Sequence, residues 1–326
     1  MIRGVALVGV LALSVLAGTL GAGAQPAGKV SRVGILGNSA ADESETRLWQ
    51  VFRLALQERG WNEGANLRIE QRWVEGRLDE AAAEVVRLKP DVVVTAGSRL
   101  TNAVKAVTST IPIVFVGHAD PVGTGHVASL ARPGGNLTGT ALLQTELGSK
   151  GLELLHLVVP AATRIGVLWH TGTPSAIPGL KALEEPARQL RLQLQPVGAA
   201  TADELDGAFA KMARGGAQAA LVLNTPPFRN ARHRLAELAI THRLPTMFQG
   251  RFYVDAGALM SYYPEPDDYY RRSAVYVDRV LRGARPADLP VEQVTKFEFV
   301  INMKTAKTLG LTIPQSVLLR ADHVIQ

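Results

Sequence analysis

Short apolar runs recur along the chain, and most are followed by a segment in which apolar residues return every three or four positions. Residues 91–96 and 111–116 are almost entirely apolar, which is typical of strands buried on both faces of a parallel sheet. Residues 43–59 and 267–282 place their apolar side chains on one side of a helix. The pattern predicts an α/β fold in which doubly wound parallel sheets carry helices on both faces.

The alternation of strand and helix runs through the chain twice, and a predicted helix over residues 147–159 separates the two runs. We also expect a helix between residues 117 and 137 and one continuous helix over residues 177–192. The predicted strands are 32–37, 66–73, 91–96, 111–116 and 138–142 in the first run, and 164–169, 193–197, 219–223 and 245–248 in the second. Two α/β lobes are therefore predicted.

The order changes after Gly250, where a strand over 256–263 and a helix over 267–282 precede a hinge-like segment, 283–290, rich in Pro and Gly. The simplest path of the chain places this strand and helix in the first lobe and the tail in the second. We predict that lobe 1 comprises residues 25–142 and 252–284, and that lobe 2 comprises 143–251 and 285–326. Three chain crossings would then join the lobes.

The first 24 residues have the pattern of a secretory signal peptide. Arg3 precedes an uncharged apolar run over 5–20, and small residues at 22–24 suit cleavage between Ala24 and Gln25. An uncleaved membrane anchor is the alternative, since residues 4–28 are long enough to span. Cleavage is favoured, because Gly and Ala crowd the end of the run, and it predicts a periplasmic protein without stable membrane insertion.

Composition excludes several classes of function. The chain contains no cysteine, which rules out disulfides, thiolate metal sites and a cysteine nucleophile. Hydrophobic residues make up 47% and charged residues 20%, as in a globular protein. The formal net charge is +6, but no run of five or more basic residues concentrates it, so we predict no nucleic-acid partner.

Ligands of doubly wound sheets bind beyond the carboxyl ends of the strands, and small polar residues follow most of these strands. Hydroxyl and amide groups there could form a cradle of hydrogen bonds, and helix N-termini attract carboxylates. Each residue could instead be a helix cap or a turn residue. The predicted ligand-binding residues are Ser39, Ser98, Thr101, Asp120, Thr171, Asn224, Thr225, Gln249, Arg251 and Tyr262.

Asp120 is the sharpest single candidate, because a carboxylate in a cleft could hold a ligand ammonium. Its alternative role is to form the turn before Pro121.

The sequence contains no strong enzymatic motif. The histidines have no metal-binding spacing, Ser261 lies in no GxSxG elbow, and the glycine-rich segment 133–139 lacks a phosphate-binding lysine. We predict no catalytic residue, no metal and no cofactor.

Five segments together resemble the substrate-binding proteins of ABC transporters, specifically those of the tryptophan/tyrosine-uptake type. They are DPV at 120–122, ASLARPGGNLTG at 128–139, GALMSY at 257–262, GARPADLPVE at 283–292 and NMKTAKTLGLTIP at 302–314. The resemblance implies a type I periplasmic-binding-protein fold with a small-molecule ligand between the lobes. It also implies handover of the ligand to an ABC permease with a cytoplasmic ATPase.

In members of this family that bind aromatic amino acids, an acidic pair follows the strand that ends here at Phe248. This chain has Gln249-Gly250-Arg251 at that place, so Arg251 would favour an anionic group, whereas Asp120 matches the family. We expect a monomeric protein that captures a small polar or amino-acid-like solute.

Two other functions remain open at this point. A periplasmic sensor that presents its bound state to a receptor kinase would have the same fold, and neighbouring genes would distinguish it from a transport protein. An exported α/β hydrolase would need a nucleophile–base pair, which the sequence does not reveal.

Overall fold

The protein is described by a computed structural model covering residues 30–40, 43–74, 77–142 and 144–326. The predicted signal peptide lies outside these residues. The strands are β1 Ser31–Gly37, β2 Leu67–Trp73, β3 Val92–Ala96, β4 Ile113–His118, β5 Leu137–Ala141, β6 Arg164–His170, β7 Gln193–Ala199, β8 Ala219–Val222, β9 Thr246–Phe248, β10 Met260–Pro264, β11 Glu292–Gln293, β12 Phe297–Asn302 and β13 His323–Ile325.

The helices follow the strands in the predicted alternation over most of the chain. They are α1 Glu43–Gln57, α2 Leu78–Arg87, α3 Gly97–Val107, α4 Gln144–Val158, α5 Ala176–Ala182, α6 Glu184–Gln189, α7 Leu205–Arg214, α8 Pro226–Asn230, α9 Arg232–Thr241, α10 Arg251–Asp255, α11 Pro266–Leu281, α12 Met303–Thr308 and α13 Gln315–Leu318. No helix of the described ranges is both long and apolar enough to cross a membrane.

Lobe 1 is built on a parallel sheet with the strand order β11-β5-β4-β3-β1-β2. Its central strand β3 is buried along its whole length, as its apolar sequence predicts. Helices α1 and α11 cover one face, and α2 and α3 cover the other, so a separate apolar core lies on each side of the sheet. The adjacent strands β1 and β3, with Leu36 opposite Thr95, bring the first turns of α1 and α3 to the same edge.

Lobe 2 is built on a sheet with the order β13-β12-β10-β9-β8-β6-β7. Neighbouring strands pair in parallel except β10 and β12, so β12 and β13 run antiparallel to the other five strands. Two further cores lie on its two faces, with Leu221 and Met247 in one and Val222 and Phe248 in the other. The predicted fold of two doubly wound lobes is confirmed, and within the described ranges the chain crosses three times, at β5–α4, β10–α11 and β11–β12.

The predicted boundaries between the lobes are wrong at two places. The segment 252–264 was expected in lobe 1, but Met260 pairs with Met247 and with Ile301 in the sheet of lobe 2. The chain returns to lobe 1 only from α11 onward, and α11 packs there against α1. The crossing therefore falls between Pro264 and Pro266, directly after β10.

The segment 285–294, expected in lobe 2, stays with lobe 1. Thr138 Oγ1 donates a 2.8 Å hydrogen bond to the carbonyl of Leu289, and Glu292 pairs with Thr140 in β11. The Pro-Gly segment thus runs along the edge of the first sheet, and the chain crosses only after Val294, whose N–H donates to the carbonyl of Ala141.

Two predicted helices also differ from the structure. Residues 119–136 form turns and bends without a helix, with the side chain of Asp120 and the carbonyl of Pro121 accepting backbone N–H groups. The helix predicted over 177–192 is divided at Leu183 into α5 and α6. Pro186, which has no N–H to donate, lies in the first turn of α6, where helices tolerate proline.

Candidate functional site

The polar ends of the strands in the two lobes face each other across a cleft. In lobe 1, β3 passes directly into α3, and Gly97 makes this abrupt turn with a φ of +76°, which a residue with a side chain adopts only with strain. In lobe 2, Asn224 and Thr225 connect β8 to α8. The first turn of α3 therefore lies opposite the end of β8.

The cleft contains a cavity with a volume of about 40 Å³, enclosed by residues of both lobes. A volume of this size accommodates only a few water molecules, so the lobes must separate before an amino-acid-sized solute enters. The lining residues are Ala96, Gly97, Ser98, Arg99, Val116, Gly117, Ala119, Leu142, Thr173, Ser175, Asn224, Thr225, Pro226, Arg229, Tyr263, Tyr269 and Tyr270.

The lobes touch directly at the cavity. Ser98 Oγ of lobe 1 and Ser175 Oγ of lobe 2 are 2.8 Å apart, and both side chains are buried. Nearby, a Cβ at Gly97 would lie 3.7 Å from Pro226 Cγ, so the backbone of α3 approaches the other lobe closely. This arrangement is the closed form of the cleft.

Two polar groups at the cavity have no hydrogen-bond partner among the described residues. Thr225 is 3% exposed and its Oγ1 has no partner. The Arg99 side chain makes no ion pair with the described residues, and its buried Nε has no hydrogen-bond partner among them. Desolvation lowers the pKa of Arg99, and the charge of Glu45 opposes this shift. Because a partly buried cation without an ion-pair partner is costly, Arg99 is suited to receive an anionic group of a ligand.

Tyrosine side chains form much of the remaining wall. Tyr263 OH accepts a hydrogen bond of 3.0 Å from Asn224 Nδ2, and burial raises the pKa of Tyr263 to about 12. Burial also raises the pKa of Tyr269 well above its usual value, and the nearby charge of Arg229 opposes the increase. The wall is therefore aromatic with neutral phenols, and the cation Arg229 lies next to them.

A further layer of hydrogen bonds fixes the residues of the wall. Gln249 Oε1 accepts from the backbone N–H of Asn224 at 2.9 Å, and Tyr253 OH donates to Asn224 Oδ1 at 3.2 Å. In lobe 1, Thr101 Oγ1 donates to the carbonyl of Gly97 at 2.7 Å. Gln249 and Thr101, both predicted as ligand contacts, thus lie behind the cavity and hold its lining residues.

The structure brings three of the predicted residues to the cavity: Ser98, Asn224 and Thr225. Ser39 and Thr171 are not among the lining residues, and Thr171 is exposed. Arg251 lies at the surface, where its Nη1 donates to Glu298 Oε1 at 3.0 Å. The prediction that Arg251 faces the cleft is therefore wrong, because the turn after Gly250 directs the chain away at the start of α10.

Tyr262 was predicted to line the cleft, but it faces the opposite side of β10. Its ring stacks on Phe297, with centroids 5.5 Å apart. Tyr263 contributes to the cavity instead, since successive side chains of a strand point to opposite faces. The prediction was wrong by one residue.

Asp120 is also absent from the lining residues of the described chain. Its Oδ1 accepts the backbone N–H of Gly123 at 2.7 Å, which is the turn-forming alternative. Its own N–H donates to His118 Nδ1, and His118 Nε2 lies 2.7 Å from His126 Nδ1. Burial lowers the pKa of both histidines, that of His126 to about 4, so this pair is neutral and structural.

The cations and tyrosines of the wall do not belong to the predicted ligand-binding residues; they are Arg99, Arg229, Tyr263, Tyr269 and Tyr270. Arg99 directly follows the predicted contact Ser98, which was the signal available for it. Among the residues that the structure describes, no group of three or more His, Asp or Glu side chains could hold a metal ion.

Comparison with known proteins places this cleft in context. Residues 41–325 match the family model described as ABC transporter substrate binding protein. A tyrosine-binding protein of Clostridioides difficile (strain R20291) is 25% identical over 264 residues, which cover 80% of this chain and 75% of that protein.

Solved structures show the same architecture. An ABC domain from Streptococcus pneumonia in complex with L-Trp is 23% identical, covers 90% of this chain and 99% of its own, and has a TM-score of 0.83. A ligand-free, open substrate-binding protein from Clostridium difficile is 22% identical, covers 91% and 100%, and has a TM-score of 0.65. Proteins of the type I periplasmic-binding-protein fold also superpose, including the Lac repressor, which confirms the predicted fold class.

Proposed function

We propose that this chain, which belongs to the family of ABC transporter substrate-binding proteins, captures an amino-acid-like solute by its carboxylate between the two lobes. Membership in the family makes it a solute-binding protein for ABC import and confirms the prediction of a binding protein rather than an enzyme. The carboxylate and the aromatic character of the solute are the parts that the proposal adds.

The observation that carries the proposal is the Arg99 guanidinium, which lines the cleft without an anionic partner among the described residues. Guanidinium binds carboxylate through two parallel hydrogen bonds, so a solute carboxylate would satisfy it. Thr225 Oγ1, which is buried in the facing lobe, supplies a further hydrogen-bonding group. The carboxylate would therefore be held from both lobes.

The aromatic part of the proposal rests on the tyrosine wall. Tyr263, Tyr269 and Tyr270 offer ring faces and edges to an aromatic side chain, and such pairs favour offset or edge-to-face packing. A tyrosine-binding relative and a structure with bound L-Trp support the same class of solute. We therefore expect tyrosine, tryptophan or a related aromatic acid.

Binding would proceed by closure of the lobes. The solute enters the open cleft, and rotation about the crossings brings Arg99 and Thr225 to it from opposite sides. The solute can shift the protein towards the closed form only if it binds that form more tightly. The closed form would then be handed to an ABC permease with a cytoplasmic ATPase.

We further propose that the protein acts outside the cytoplasm as a monomer. The signal-peptide pattern before Gln25 supports export to the periplasm. Cleavage there would release the two-lobe protein from the membrane.

The test begins with mass spectrometry of small molecules released from the purified protein. Calorimetry then compares L-tyrosine, L-tryptophan and tyramine, which lacks the carboxylate. We expect the amino acids to bind, tyramine to fail, and Arg99→Gln to weaken binding by at least 10-fold, since a hydrogen bond to a charged group contributes about 1.5–3 kcal/mol.

Arg87→Gln is the matched control, because it removes an exposed arginine from the far end of α2 in the same lobe. If Arg99→Gln binds as tightly as the control, Arg99 does not hold the solute. Tight binding of tyramine would likewise contradict recognition through the carboxylate.

A further inference from the structure

A fully buried carboxylate lies at the start of α1, next to the cleft. Glu45 is 0% exposed, and one of its oxygens, Oε1, accepts three hydrogen bonds. They come from the backbone N–H of Asn38 at 2.8 Å, from Asn38 Nδ2 at 3.3 Å and from Trp49 Nε1 at 3.3 Å. The donors that reach Glu45 from the described residues thus converge on one oxygen of its carboxylate.

The other oxygen of Glu45, Oε2, is buried and has no donor among the described residues. The neighbouring Asn38 Oδ1 is also buried and has no donor there, and Asn38 as a whole is 6% exposed. Two acceptors without donors, one of them charged, are costly in a protein interior. Groups with several N–H donors and a positive charge are the natural complement.

Two connections place Glu45 behind the wall of the cavity. The adjacent strands β1 and β3 bring its helix turn to the same edge of the sheet as the first turn of α3, and the charge of Glu45 acts on Arg99 although the two side chains form no ion pair. Trp49, which donates to Glu45, packs edge-on against the cavity residue Tyr270 with ring centroids 5.2 Å apart. Glu45 therefore acts on the cation Arg99 through its charge and reaches the aromatic part of the wall through Trp49.

We infer that Glu45 determines specificity for zwitterionic α-amino acids over simple aromatic carboxylates. The inference rests on the proposed function, in which Arg99 receives the carboxylate of the solute. In an α-amino acid the ammonium lies one carbon away from that carboxylate. The charge of Glu45 stabilises this ammonium and repels a solute that carries a carboxylate alone.

The expected effect follows from electrostatics and does not require direct contact. Opposite charges several ångströms apart, in the effective dielectric of a protein near its surface, change affinity by roughly 10- to 100-fold. Removing the charge of Glu45 should weaken binding of the amino acid and leave or strengthen binding of the anion. A residue that only tied the loop after β1 to α1 would change both affinities in the same direction.

The experiment measures affinities for L-tyrosine and 3-(4-hydroxyphenyl)propanoate, which is tyrosine without its amino group. The wild-type chain should prefer L-tyrosine by at least 10-fold, and Glu45→Gln, which keeps the size and one carbonyl acceptor, should lose most of this preference. Glu43→Gln is the matched control, since it removes an exposed acid from the same helical turn. The control should keep the wild-type preference.

Three results would overturn the inference. One is a Glu45→Gln protein that keeps the wild-type ratio, and another is a wild-type protein that binds the two solutes equally. If Glu45→Gln does not fold, Glu45→Asp, which keeps the charge, must retain the preference, and its loss would be the third. Failure of both carboxylates to bind the wild-type chain would instead overturn the proposed function, and this inference with it.

Discussion

The hydrogen bond between Ser98 and Ser175 joins the two lobes, and its removal should weaken solute binding through the closed form alone. In Ser175→Ala, closure would bury Ser98 Oγ, whose residue is 3% exposed in the closed form, without its partner. A buried hydroxyl without a partner costs about 1–3 kcal/mol. In the open form the same hydroxyl is hydrated, so the cost falls only on closure.

This cost converts into a measurable affinity. If the chain without solute is mostly open, the whole penalty appears in the dissociation constant, which should rise by roughly 5- to 150-fold. In the double variant Ser98→Ala/Ser175→Ala, both hydroxyls are absent and neither is left without a partner, so the affinity should return to within about 3-fold of the wild type.

Calorimetry with the tightest-binding aromatic acid gives the four dissociation constants of this cycle. Small-angle scattering gives the radius of gyration with and without solute. Ser316→Ala, at an exposed position in α13, is the control for loss of a hydroxyl. If the two single effects simply add in the double variant, the serines do not act as a pair, and Ser98 contacts the solute by itself.

Two further predictions concern stability. The pKa of His126 is lowered from 6.5 to about 4, so the unfolded chain binds the proton more tightly and stability should fall as the pH drops from 6.5 towards 4. His126 should contribute at most roughly 3 kcal/mol to this loss in urea titrations, and His126→Gln should reduce the slope of the profile, to which His118 also contributes, whereas the exposed His233→Gln should leave it unchanged. Tyr263→Phe removes the acceptor of Asn224 Nδ2 and should cost about 1 kcal/mol in denaturation and also weaken solute binding. Tyr262→Phe, on the other face of β10, should leave binding unchanged, and equal effects of the two variants would contradict the assigned faces.

The architecture of the lobes was predictable because buried parallel strands leave a strong local signal. Residues 92–96 and 113–116 are buried throughout, and the apolar runs predicted this. The sheet to which β10 belongs was not predictable in this way. Its partners β9 and β12 lie on either side of it along the chain, and local pattern does not specify long-range pairing.

The candidate site was predictable only in part, for the same reason. Ser98, Asn224 and Thr225 lie within three residues of the end of a strand, and the rule for strand ends found them. The choice between Tyr262 and Tyr263 depends on which face of β10 turns to the cleft. The register of β10 against its neighbouring strands decides this, and local sequence pattern does not specify it. Asp120 follows a strand as well, but its carboxylate is occupied by the backbone of its own turn. Glu45 lies within a helix, where the same rule gives no reason to look.

The crossing between β10 and α11 is a single residue, Glu265, between two prolines. The rings of Pro264 and Pro266 fix their φ angles, so few backbone torsions can turn at this point. Tyr263 and Tyr269 stand on opposite sides of it, one carried by each lobe. Rotation at this crossing must therefore move the two rings relative to each other, and the few free torsions restrict the direction of that movement. The aromatic wall therefore forms when the lobes close and separates when they open.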